Sequence, residues 1–110
     1  MTKENHVEHE IFQMISRSGQ ARSLAYEALD AIEEANYEQA TQLLKQAEEE
    51  LAEAHKIQTK LITAELNGEN LQKTLLLIHA QDHLMTAMTE EKLIKRLIRL
   101  IKHLHDGGKR

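Results

Sequence analysis

Apolar and small residues recur along this chain at helical spacing in three stretches separated by polar breaks. In the first, Met14, Ser18, Ala21, Ala25, Ala28 and Ile32 follow in steps of four and three, with Ile11, Ile15, Leu24 and Leu29 widening the face. The pattern predicts a helix from about His6 to Glu34. Gly19 falls inside it, where glycine costs about 1 kcal/mol relative to alanine, so a close backbone approach is expected there. The polar string EEANYEQ follows, and Asn36 with Gln39 three residues on reads as an N-cap and capping box. A second helix is expected over Tyr37 to Leu66, on the seam Ala40, Leu44, Ala47, Leu51, Ala54, Gln58 and Leu61. Asn67-Gly68 ends it, either residue being able to take a left-handed conformation.

The third helix is expected to begin near Glu69 or Asn70, on the seam Leu71, Leu75, Ile78, Asp82 and Met85. Its phase slips across TAMTEE at 86–91, as a stutter in one helix or a break capped by Thr89. It resumes with Leu93, Leu97, Leu100 and Leu104, flanked by Ile94, Ile98, Ile101 and His105, and should fray at DGGKR. Three helices of roughly 40 Å each, with short links, imply an all-α, up-down-up antiparallel three-helix bundle. Residues 1–110 form one domain, with a polar N-terminal tail at about 1–6 and a basic C-terminal end at 92–110. The apolar positions exceed one narrow stripe per helix, which calls for self-association.

Composition agrees with long helices: no proline, four glycines, and only Phe12, Tyr26 and Tyr37 as aromatic residues. A core of Ala, Leu, Ile and Met is thin for this size, so close alanine packing and oligomerisation are both expected. The absence of cysteine excludes a disulfide scaffold and thiolate chemistry. The polar start MTKENHVEHE lacks the apolar stretch of a signal peptide, and LLLI at 75–78 is too short to span a bilayer. A soluble, cytoplasmic protein without membrane insertion is expected. The net charge of −4 is unevenly spread: residues 1–91 carry 7 Lys/Arg against 17 Asp/Glu, and residues 92–110 carry 7 against one. The basic end reads as cations placed near a helix C-terminus rather than as a nucleic-acid surface, since it holds no aromatic residue for base stacking.

The chemistry concentrates in IHAQDHLM at 78–85. His79, Asp82 and His83 stand at i, i+3 and i+4 and share one helix face. Asp82 sits where the seam calls for a hydrophobe, and a buried carboxylate there would need a partner. The spacing is compatible with ordinary surface histidines, with a metal site, or with a nucleophilic histidine that accepts a phosphoryl group. In the last case His83 would orient the ring or donate to the added charge. Spacing alone leaves these three open.

The wider string LLLIHAQDHLM at 75–85 resembles the signature of the lactose/cellobiose family of IIA proteins of the bacterial phosphoenolpyruvate-dependent sugar phosphotransferase system. SGQARSLAYEALDAI at 18–32, NYEQA at 36–40, AHKIQTKLI at 54–62 and ELNG at 65–68 resemble it too, in order. The resemblance implies a three-helix bundle assembled as a homotrimer, a nine-helix bundle overall. It implies that His79 is the phosphorylated nucleophile, with His83 and Gln81 in supporting roles. It implies that Asp82, one per subunit, meets its copies at the trimer axis around a structural divalent metal ion, with Mg2+ expected. Phosphate would arrive from HPr and leave to a cysteine of the cognate IIB component. IIB then phosphorylates a β-linked disaccharide as the membrane component IIC imports it. Two other readings are weighed: a histidine phosphotransfer module of two-component signalling, whose H-x-x-K-G context is missing around His79, and a non-enzymatic helical oligomerisation module.

Overall fold

The computed structural model describes residues 3–107, with side chains from residue 6 onward. It contains three helices: α1 (Lys3–Glu33), α2 (Tyr37–Leu66) and α3 (Leu75–Gly107). Arg17 pairs with Glu50 and Glu10 with Lys60, so α1 and α2 run antiparallel. Gln58 meets Gln81 and Glu48 meets Lys95, so α2 and α3 are antiparallel as well. The bundle is therefore up-down-up, 60 × 22 × 19 Å in extent.

Both turns follow from local chemistry. The end of α1 is closed by Asn36 N–H donating to the Ala31 carbonyl and Ala35 N–H to that of Ile32, with Ala35 left-handed at φ 58°. Gly68, at φ 93°, does the same for α2 through Gly68 N–H to Glu65 and Glu69 N–H to Ala64. Of the two candidates Asn67 and Gly68, the glycine takes the strained position. Asn36 caps α2 as expected, its Oδ1 accepting from the Gln39 N–H at 3.2 Å. The reciprocal half of the capping box is ruled out, because the Asn36 N–H is already used to close α1.

One expectation for the third helix is corrected, and the choice left open at 86–91 is decided. It begins at Leu75 rather than at Glu69 or Asn70, because Thr74 is its cap: the Thr74 hydroxyl accepts from Leu77 N–H and its carbonyl from Ile78 N–H. It is also continuous through 86–91, with the Thr89 hydroxyl bonded back to the Met85 carbonyl inside the helix. The first helix starts at Lys3, so most of the expected polar tail at about 1–6 is helical. Asp106 and Gly107 are still helical, and the remainder of the expected fraying segment lies outside the described residues.

Packing explains the apparent phase slip. The residues that α3 buries against its own chain are Ala80, Leu84, Ala87, Glu91, Ile94 and Ile98, an unbroken run in steps of four and three. The seam expected from Leu75, Ile78, Asp82 and Met85 lies on another face and is exposed, Ile78 at 52% and Met85 at 55%. Leu93, Leu97, Leu100 and Leu104 are exposed too. On α1 and α2 the expected seams are the buried ones, from Met14 to Ile32 and from Ala40 to Leu61, with Gln58 half-buried. Alanines at 21, 25, 28, 40, 47, 54, 80 and 87 have no exposed surface, which lets the backbones approach closely.

Candidate functional site

His79 and His83 stand one turn apart on α3, between Thr74, which fixes the helix start, and the buried Leu84. Their rings are stacked, with centroids 5.8 Å apart and planes inclined by 11°. The two differ in access: His79 is exposed and His83 half-buried. A Cβ added to Gly19 of α1 would lie 3.5 Å from His83 Nε2, so the histidine side chain, rather than a backbone, is what approaches this glycine. Burial, followed by the nearby charge of Arg22 and by His79, lowers the His83 pKa and favours a neutral imidazole. A neutral ring keeps one N–H donor and one lone pair.

Gln81 is half-buried between the helices, where the Gln58 amide donates to its Oε1 at 2.5 Å. This ties α2 to the turn of α3 that carries both histidines. The Gln58 of the second seam is thus a polar member of the site rather than a gap in the core.

Asp82 is exposed, on the same face as Ile78 and Met85. The expectation that it is buried is not met within one chain, because its seam faces outward. Among the described residues no group of three His, Asp or Glu side chains could hold a metal ion within one chain. One carboxylate per chain suits a hard divalent cation only if copies of the chain bring several together.

The sequence reading missed a second polar cluster beside His83. Arg22 of α1 donates through Nε and Nη2 to both oxygens of Glu90 on α3, at 3.0 and 2.5 Å. The Tyr26 hydroxyl is hydrogen-bonded to the same carboxylate. These hydrogen bonds, that from Arg22 foremost, hold the Glu90 carboxyl below its ordinary range. The one available signal was spacing: Gly19, Arg22 and Tyr26 share a face of α1, as His79, His83 and Glu90 share a face of α3.

The basic end is partly used inside the bundle. Lys95 pairs with Glu48, and Lys102 donates to the Thr41 hydroxyl and lies 6.0 Å from the centre of the Tyr37 ring. Only His105 falls in the last turn of α3, so most of these cations sit upstream of the helix end. Among the described residues no helix is long and apolar enough to cross a membrane.

Comparison with known proteins adds a family. The sequence profile of the PTS system, Lactose/Cellobiose specific IIA subunit, matches residues 9–102. The chain is 44% identical over 98 residues to the lichenan-specific phosphotransferase enzyme IIA component of Bacillus subtilis, covering 89% of each sequence. Its fold is similar to the crystal structure of the PTS cellobiose-specific enzyme IIA from Bacillus anthracis, with TM-score 0.87 and 42% identity over 96% of this chain and 94% of that one. It is also similar to a chain of the IIA(chitobiose)–HPr complex of the Escherichia coli phosphotransferase system, with TM-score 0.76 and 40% identity over 90% and 96% of the two chains.

Proposed function

The chain belongs to the lactose/cellobiose-specific IIA family of the sugar phosphotransferase system, and from that premise we propose that His79 is the residue that carries the phosphoryl group. The observation that carries this reading is the difference between the two stacked histidines: His79 is exposed and His83 lies half-buried against Gly19. A nucleophile must reach an incoming protein-bound phosphoryl group, and His79 has that access. The lone pair of a His79 ring nitrogen forms the new N–P bond as the N–P bond of a donor phosphohistidine breaks. The electron pair of the broken bond stays on the donor imidazole, so like is exchanged for like. His83, as a neutral N–H donor one turn away, steadies the added charge. The Gln58–Gln81 hydrogen bond fixes the supporting turn.

The donor is HPr, in keeping with the solved IIA(chitobiose)–HPr complex among the similar structures. The acceptor is a cysteine of a cognate IIB component, which passes the group to a β-linked disaccharide of the cellobiose, lactose or chitobiose class during import through IIC. The protein works as a homotrimer, because the exposed stripe of Leu75, Ile78, Met85, Leu93, Leu97 and Leu100 needs a neighbour to cover it. Trimerisation would bring three Asp82 carboxylates together, and a structural divalent cation such as Mg2+ would neutralise their repulsion there.

Incubation with phosphoenolpyruvate, enzyme I and HPr tests the assignment. Intact mass should rise by one acid-labile phosphoryl group per chain, the group should leave when IIB is added, and His79→Ala should take up none. Uptake that persists in His79→Ala would overturn it.

A further inference from the structure

We propose that Arg22 is the phosphoryl-binding cation of this site and that Glu90 is its placeholder, holding the guanidinium until a phosphoryl group on His79 takes it over. The proposal rests on the reading of His79 as the phosphoryl carrier. The Arg22 fork is occupied by both oxygens of one carboxylate, and the same planar arrangement of donors fits phosphoryl oxygens equally well. A phosphoryl group brings about two negative charges to this face, against one on Glu90. Both partners are partly open to solvent, Arg22 at 33% and Glu90 at 25% of their side chains, and ion pairs this exposed are weak enough to exchange.

The layout gives the guanidinium a route. The pairs Gly19–His83 and Arg22–Glu90 show that α1 and α3 run in the same direction. By the Gly19–His83 register Glu90 stands about a turn C-terminal of the level of Arg22, so Arg22 now reaches away from the histidine end, and release of Glu90 frees it to take the N-terminal lean usual for helical side chains. One turn before Arg22 stands Gly19, which puts no side chain between Arg22 and the His83 ring. The charge of Arg22 already acts on His83, whose ring stacks on that of His79. In the exchange no covalent bond changes: Arg22 gives up two hydrogen bonds to Glu90, makes two to the phosphoryl oxygens, and leaves Glu90 with Tyr26 as a partner.

Two variants separate this from a structural ion pair, since Arg22→Gln and Glu90→Gln break the same bridge. Each is mixed with HPr, enzyme I and limiting phosphoenolpyruvate, and the phosphorylated fractions of HPr and of the variant are read by intact mass at equilibrium. Arg22→Gln should shift the transfer equilibrium back toward HPr by about tenfold, the scale of a lost hydrogen bond to a charged group. Glu90→Gln should shift it several-fold the other way, and Arg22→Lys should recover part of the loss. If both Gln variants move the equilibrium in one direction, or neither moves it while the parent protein is phosphorylated, the placeholder role is wrong. If the parent protein takes no phosphoryl group at all, the reading of His79 fails and this proposal with it. Should Arg22→Gln lose its helical circular dichroism, the sign of the Glu90→Gln shift decides.

Discussion

Glu91 lies on the buried seam of α3, 5% exposed, with its Oε2 atom lacking a hydrogen-bond partner. Burial, and then the like charge of Glu48 from α2, push its carboxyl above the ordinary value of 4.5, against the opposing pull of Lys95 and Lys92. The sign of the linkage follows. Between 4.5 and its raised value the folded chain holds this proton more tightly than the unfolded chain, so Glu91 makes stability fall as pH rises through that interval. Glu91→Met should therefore stabilise the protein at neutral pH by about 1 kcal/mol, with the gain shrinking toward pH 4.5. Thermal unfolding across that range checks it, and a gain that grows on acidification would contradict it. At Gly19 an added Cβ meets His83 Nε2 at ordinary contact distance, so Gly19→Ala should raise stability in denaturant melts by up to about 1 kcal/mol. Residue chemistry was legible where partners are close in sequence: His79, Asp82 and His83 declare themselves by i, i+3 and i+4 spacing, and Gln81 entered through the family resemblance alone. The partners of the site were not, because Arg22 stands 68 residues from Glu90 and Gln58 stands 23 from Gln81. Only the packing of the helices brings those together.

At the scale of elements, the three helices and their sense follow from apolar spacing and turn chemistry. The boundary that spacing misplaced is the start of α3. Leu71 and Leu75 are four apart and suggested helix, yet Leu71 packs half-buried on the core from a non-helical link, and the Thr74 hydroxyl sets the start. The apparent slip at 86–91 came from following the most hydrophobic face, whereas α3 turns its alanines and Glu91 toward its own chain. Large side chains mark a face that is apolar; small ones mark where another helix already lies. The turn after α1 stores strain, since Ala35 holds a left-handed conformation that glycine accepts without a Cβ penalty. Ala35→Gly should stabilise the protein by about 1 kcal/mol, seen as a raised midpoint in urea unfolding. Asn36→Ala should lower it by about 1 kcal/mol, because the Gln39 N–H then loses its acceptor.

For the whole molecule, the exposed apolar stripe on α3 and the carboxylate within it belong to one argument. Ile78 and Met85 flank Asp82 in the seam, so a surface that seeks apolar partners carries a charge at its middle. Light scattering coupled to size exclusion should give a trimer. Asp82→Leu should keep or strengthen it, because removing like charges that would face one another stabilises the assembly. A monomeric Asp82→Leu would mean that Asp82 does not face its copies. Helix number and order were readable in the chain, and the exposure of this face was readable only as an excess of apolar positions over what one bundle can bury.

The central claim, that His79 rather than His83 carries the phosphoryl group, is tested most directly by NMR of the protein labelled with 15N at histidine and phosphorylated through HPr. Phosphorus coupling should appear at an imidazole nitrogen of the spin system that His79→Ala removes, while His83 keeps an unphosphorylated ring. Coupling on the ring that His83→Ala removes would contradict the account.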